Sequence, residues 1–543
     1  MCKFYFCTLV LWLSWTTLQA QNTPPAITPP SMGDFTGIQS FLSSGWMEGR
    51  EAGARGGFLA ADFIATMMLV NGLQPYGDLY RPIDPGSSLP PEQRSYFQNF
   101  ELLRVQVEKS SLTLILSAPE GESSVILTPG IDYEINSVPV SMEAEAQVVF
   151  TGYGIESPGK GYDDYCRMDV RNRIVVILNG FPGYADTTSA AWKKLGKDFP
   201  QEFSELSTKL RIAEKHGAVA VIVIDQRDSK NPYDRSLHNQ DVVNSAMNST
   251  KPSDPEYEDS EYYIPGDTGM INIPCFILGA NATRLLLKET GIDLSGFEKK
   301  AARDIAPASQ VIKGKKIRLS VTVEKEAMAM RNVLGMVRGM DTNRYIIVGA
   351  HYDHLGTRKE VVYNGADDNA SGVSGMLALS RKWVEYREKP SCNIIFAAWT
   401  AEEKGVLGSD YFAQHSELVP DKLSVVFNMD MISRSASEDT ARRKISIGTL
   451  PVSEDLKNIA RKSNAQLKHP FTLDLWDVTG HSGSDYGPFA ARKIPVMTFF
   501  AGFHDDYHTP RDVVVKTDPG KMEQILKIVN DCIRETTENP PLR

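Results

Sequence analysis

The second half of the chain predicts a three-layer α/β domain built on a central mixed, largely parallel sheet. Two observations lead there. Residues 345–350, 394–399, 425–429 and 495–500 are short apolar runs without polar alternation, the pattern of strands buried on both faces of a sheet. Helical patterns separate them, the clearest being the stripe Val373, Met376, Leu377, Ser380, Trp383 and Val384. Strands alternating with helices make a layered α/β domain, and in such sheets the functional site lies beyond the carboxyl ends of the strands.

The rest of the chain reads differently. At 543 residues it exceeds one typical core, so more than one domain is expected. Lys3, an apolar run over 4–15 and the small residue ending Leu18-Gln19-Ala20 read as a signal peptide, 1–20. The protein is therefore expected to be secreted or periplasmic. No later stretch is long and apolar enough for a membrane helix. A Pro- and Thr-rich linker occupies 21–34. Residues 58–70 carry apolar residues at helical spacing before the stop signal Gly72, and 100–116 alternate as strands do. This region, 35–114, is the first part of the α/β domain. Residues 115–300 differ in texture. Short strands at 148–153, 173–178, 218–224 and 273–278 accompany one helix at 210–216 and a polar stretch at 225–262. A small β-rich insert is expected there, before the α/β domain resumes at 301–543.

The net charge of −10 is mild for this length. Without a basic stripe, nucleic acid is not an expected partner; the acidity reads as solubility. The sequence carries no signal for oligomeric state. Beyond the signal segment stand Cys166, Cys275, Cys392 and Cys532. Export permits disulfides. Cys392 and Cys532 read equally as buried thiols, and a Cys166–Cys275 bridge stays open. None has metal-site spacing, so a zinc ion would have to be held by His and carboxylates.

Such residues recur where the strands end. The first run leads into His351-Tyr352-Asp353, and Gly365-Ala366-Asp367-Asp368-Asn369 precedes the next helix. The following runs end at Glu402-Glu403, at Asp430 and before Asp506-Tyr507-His508. Alone, each has an ordinary structural explanation: an N-cap for an Asp, a solvated face for a Glu pair. Recurrence at successive strand ends points to a metal centre instead. Two ions about 3.5–4 Å apart need one bridging carboxylate and a ligand pair each, while a further carboxylate must stay free to take a proton from water. Glu402 and Glu403 could divide those last roles.

At these residues the chain resembles the family twenty-eight metallopeptidases, the co-catalytic di-zinc aminopeptidases. The matching stretches are His351-Tyr352-Asp353, Gly365-Ala366-Asp367-Asp368-Asn369-Ala370-Ser371-Gly372, Ala401-Glu402-Glu403-Lys404-Gly405, Asn428-Met429-Asp430-Met431 and Asp506-Tyr507-His508-Thr509-Pro510. The resemblance implies a zinc-exopeptidase domain with two Zn2+ per chain acting on peptide or protein substrates. His351 and Asp430 would hold one ion, Glu403 and His508 the other, and Asp367 would bridge. Glu402 would be the general base, and Asp353 would orient His351. Asp368 would follow Asp367 through a cis peptide. The stretch Ser482 to Phe489 resembles the family's loop beside the substrate, which puts Asp485 and Tyr486 there. The insert resembles a protease-associated domain. Two other readings share the fold. A glutaminyl cyclase-like zinc acyltransferase binds one zinc and lacks the Asp367-Asp368 pair, and a receptor-like relative loses ligands or the base.

Overall fold

The computed structural model describes residues 27–79, 94–119, 121–184, 186–196, 206–224, 260–266, 271–307, 309–386, 388–418, 420–478 and 483–541. The signal segment, residues 21–26 of the linker and residues 225–259 of the polar stretch lie outside these residues, and the end of the linker already belongs to helix Met32–Leu42. Among the described residues no helix is long and apolar enough to cross a membrane.

The second half of the chain is the expected layered α/β domain. Its strands run in the order Thr472–Asp477, Lys444–Thr449, Val496–Phe500, Leu423–Asp430, Asp341–His351, Cys392–Trp399, Gln310–Val337. Asp341–His351 is parallel to both its neighbours, and Leu423–Asp430 is parallel to Val496–Phe500. Pairing turns antiparallel where Lys444–Thr449 meets Val496–Phe500 and where Gln310–Val337 meets Cys392–Trp399. The sheet is thus mixed and largely parallel. Successive side chains serve opposite faces. Ile346, Val348 and Ala350 enter one core with helices Met32–Leu42, Ala370–Glu385 and Pro519–Glu538. Ile347 enters the other, with Phe412 and Phe489. Every residue of Cys392–Trp399 is buried, each large apolar one contributing about 1.5–3 kcal/mol. Gly349 is required where it stands, since a Cβ there would meet the Trp399 indole nitrogen at 2.5 Å.

The insert has its own core around Val148, Phe150, Ile174, Val176, Ile222 and Phe276. Met142–Phe150, Ile174–Leu178, Ala220–Ile224 and Cys275–Leu278 lie side by side and parallel, with helix Leu206–Lys215 in the connection. That helix buries Lys209, whose ammonium donates to the carbonyls of Leu178 and Gly180. Burial pushes it down to about 7. Asp164, also buried, accepts from the Tyr153 and Ile155 amides and the Tyr162 hydroxyl, yet burial pushes its carboxyl up to about 7.

Two very long strands join the halves. Phe97–Ala118 pairs antiparallel with Gln310–Val337 from Phe97 opposite Val333 to Leu116 opposite Lys315. Gln310–Val337 pairs with the insert near its start and with Cys392–Trp399 near its end, so all these strands form one continuous sheet. The positions expected to divide the parts, 114/115 and 300/301, therefore fall within strand Phe97–Ala118 and within helix Leu294–Asp304. Ser260–Tyr263 adds to the same ladder and brings Ile264 into an apolar cluster with Ala52, Phe100 and Ala401. Cys166 is exposed, Cys275, Cys392 and Cys532 are buried, and all four are free thiols; the Cys166–Cys275 bridge does not form.

Candidate metal centre

Strand ends deliver the site. His351 closes Asp341–His351, Asp430 closes Leu423–Asp430, and the Glu402-Glu403 turn follows Cys392–Trp399. Asn369 caps helix Ala370–Glu385. Its side-chain oxygen accepts from the Gly372 and Met431 amides, and its amide nitrogen donates to the Met429 carbonyl. One side chain thereby ties the helix start to the strand of Asp430. Ala401, Met431 and His508 take left-handed backbone conformations, which non-glycine residues adopt mostly where surrounding structure imposes them.

Two groups of ligand-type atoms result, each within 4.8 Å of one another: His354, Asp368, Glu403 and His508, and His351, Asp368 and Asp430. His508 Nε2 lies 3.1 Å from Asp368 Oδ2 and 3.2 Å from Glu403 Oε2. His351 Nε2 lies 3.3 Å from Asp430 Oδ1 and 3.4 Å from Asp368 Oδ1. Asp368 thus offers one oxygen to each group. Its Oδ2 and His508 Nε2 are buried without a hydrogen-bond partner, an arrangement that is costly unless something else binds there. Imidazole nitrogens and carboxylate oxygens at these spacings suit zinc.

His351, Glu403, Asp430 and His508 are all brought into these two groups. Asp367, expected to bridge, belongs to neither group. Its Oδ1 accepts from the Ser433 amide at 2.7 Å and hydroxyl at 2.8 Å, and its Oδ2 faces His504 at 3.4 Å. The turn sends the two adjacent side chains in opposite directions, so Asp368 reaches the cluster while Asp367 braces the loop from behind. The cis peptide is likewise Asp368–Asn369 rather than Asp367–Asp368. Asp512 accepts from the amides of both aspartates.

Asp353 lies against both His351 and the Glu402-Glu403 turn. Its carboxylate lies 3.8 Å from His351 Nδ1, whose closer partner is the Asp353 carbonyl at 3.2 Å. The same carboxylate accepts from the Glu402 and Glu403 amides at 3.2 and 3.3 Å, so it also fixes the turn that carries both glutamates. Burial pushes its carboxyl up to about 6. Tyr486 and Asp485, expected beside the substrate, are 7% and 1% exposed. Burial pushes the Tyr486 phenol up to about 12 and the Asp485 carboxyl up to about 7. Asp485 faces the charges of His351, Asp353 and Asp430 rather than solvent.

Electrostatics separate the adjacent glutamates. Burial holds Glu402 well above the usual carboxylate range, and Glu403, Asp430 and Asp485 reinforce it against His351. Burial acts on Glu403 as well, but His508 and His354 outweigh it and hold that carboxyl well below the range.

Two further residues complete the site. His354 meets Glu403 at 2.8 Å; a histidine three positions after His351 on the same strand-end loop was the signal that could have found it. Arg50 is fully buried beneath the loops. Its Nε donates to the Tyr352 carbonyl, its Nη1 to those of Leu42 and Asn364, and its Nη2 to those of Gly365 and Asp368. Burial brings it down to about 10, against the pull of Asp368, Asp512, Asp353 and Glu403.

Imidazoles and carboxylates gathered beyond the strand ends of an α/β sheet make a candidate metal centre. The chain matches the model of peptidase family M28 over residues 332–533. It is 32% identical over 240 residues to a "Glutamate carboxypeptidase 2 homolog" of Caenorhabditis briggsae, covering 37% of this chain and 29% of that protein. It is 27% identical over 218 residues to "Aminopeptidase YwaD" of Bacillus subtilis, covering 38% and 45%. The chain thus spans less than half the length of these curated relatives. The fold is similar to that of the aminopeptidase from Aneurinibacillus sp. strain AM-1, with a TM-score of 0.53, 17% identity and coverage of 93% and 94%.

Proposed function

We propose that the protein is a secreted or periplasmic zinc-dependent exopeptidase, an aminopeptidase that removes N-terminal residues from peptides. The observation that carries this reading is the pair of ligand groups sharing Asp368, with the elevated Glu402 carboxyl beside one of them. His351 and Asp430 would hold one zinc, Glu403 and His508 the other, and Asp368 would serve both. Bound there, zinc supplies Lewis acidity that acidifies a water to a pKa of about 7 and polarises the scissile carbonyl.

The chain's own groups do the rest. Glu402 takes the proton of the attacking water and passes it to the departing amine, a task for which an elevated pKa is suited. Asp353 holds the Glu402 amide and so sets where that carboxylate points. The Tyr486 phenol, protonated at neutral pH, would donate to the developing oxyanion. The insert, read as a protease-associated domain, supplies none of the grouped ligands among the described residues and would restrict access to short or unfolded peptides.

Purified protein should hold about two zinc ions per chain and lose aminoacyl-anilide hydrolysis when they are chelated. A peptide library with free and blocked ends identifies which terminus is attacked. Full activity in metal-free protein would remove the basis of the reading, and activity on N-blocked peptides alone would turn it toward a carboxypeptidase.

A further inference from the structure

We propose that His354 is a positioning residue for Glu403: its Nδ1–H is donated to Oε1, leaving Oε2 turned toward the ion. The inference rests on the two-zinc reading above and adds a residue to it.

Distances separate this role from direct ligation. Atoms sharing one tetrahedral zinc with bonds of about 2.0–2.1 Å lie about 3.3–3.4 Å apart. The contacts of His351 with Asp430 and Asp368, and of His508 with Glu403 and Asp368, span 3.1–3.4 Å. His354 Nδ1 to Glu403 Oε1 is 2.8 Å, the length of a charge-assisted N–H···O bond. Each Glu403 oxygen therefore faces its own imidazole, Oε1 that of His354 and Oε2 that of His508. The next acceptor, Asp368 Oδ2, is 3.6 Å from Nδ1, too far to compete.

The tautomer follows from burial. His354 Nε2 is buried and has no hydrogen-bond partner. A proton there would be a buried donor without an acceptor and would leave the Nδ1 lone pair facing a carboxylate. On Nδ1 the proton meets both needs. The ring has little freedom to leave: its Cδ2 and Cγ lie 2.6 Å from where a Cβ on Gly365 would stand, and it packs edge-on to His508 with centroids 5.7 Å apart. The His354 amide donates to the Arg50 carbonyl. Partners of this kind hold a ligand's orientation, and their loss costs about 10–100-fold in metal affinity.

The test is zinc competition against a chromophoric chelator for the wild type, His354→Ala and His354→Asn. The expected result is two tight ions in the wild type, and in His354→Ala one ion weakened about 10–100-fold with the other unchanged. His354→Asn, which can present an N–H to the same oxygen, should recover most of the loss. Equal affinities in all three proteins, or equal weakening of both ions, would overturn the assignment. A measurement on wild-type protein alone guards against misfolded variants. With cobalt in place of zinc, two hyperfine-shifted imidazole N–H resonances are expected, from His351 and His508; a third would make His354 a ligand and overturn the proposal. Wild-type protein that binds no metal would overturn the functional reading itself, whereas two tight ions indifferent to His354 would overturn only this one.

Discussion

Two pairs of adjacent, chemically identical residues carry most of the interpretation. Glu402→Gln should retain both ions, while its turnover falls by about 10²–10⁴, the usual share of a general acid–base. Glu403→Gln should instead lose one ion, with activity partly restored by excess zinc. Metal analysis with turnover on both variants reads this out, and metal loss confined to the Glu402 variant would reverse the roles. The aspartates give a parallel test. Asp368→Asn should weaken both ions, because it contributes an oxygen to each group. Asp367→Asn keeps an oxygen that can accept from Ser433 and should hold metal nearly normally; the same zinc titration decides between them. These pairs also mark the limit of what the sequence could say. His351 and Asp430 were legible because buried strands end at them, and Glu403 and His508 because they stand in the loops that follow such strands. The Asp367-Asp368 pair was legible only as a pair, since which member faces the cluster depends on the backbone path through the turn. His354 was missed because its importance depends on Glu403, 49 positions away, and no local pattern records that contact.

At the scale of elements, helix Leu206–Lys215 makes the insert sensitive to pH. Lys209 is pushed from 10.5 down to about 7, so its contribution is fully present above its unfolded pKa and is lost as pH falls toward 7. Asp164 is raised from 3.8 to about 7, so its contribution is present below its unfolded pKa and is lost as pH rises toward 7. Together they place the insert's lowest stability near neutrality. Thermal unfolding should therefore show a gain for the wild type between about pH 7 and about pH 10, which Lys209→Met should abolish. An identical gain in both proteins would remove Lys209 as its source. The short strands of this region were readable as apolar runs. The length of Phe97–Ala118 and Gln310–Val337 was not. Lys109, Ser110 and Ser111 interrupt the first apolar pattern, and what keeps the strand continuous there is its pairing with Ser320, Val321 and Thr322. Partners two hundred positions apart leave no mark on local periodicity.

For the whole molecule, the continuous sheet determines how the halves can move. Gln310–Val337 belongs to both cores, so a hinge between them would have to break a paired strand rather than bend a linker. The insert should behave as a fixed wall. Small-angle scattering of the zinc-loaded protein, with and without a slowly hydrolysed peptide analogue, should give superimposable curves; a measurable contraction on binding would show a closing motion instead. Arg50 has a consequence of another kind, in time rather than space. Its carbonyl partners at Tyr352, Asn364, Gly365 and Asp368 lie 302 to 318 positions further along the chain, and His508 is more than a hundred positions beyond those. During synthesis the guanidinium emerges long before its partners at Tyr352, Asn364, Gly365 and Asp368 exist for it to hold, and His508 arrives later still. The ligand groups therefore assemble only after segments 302 to 318 positions apart have met.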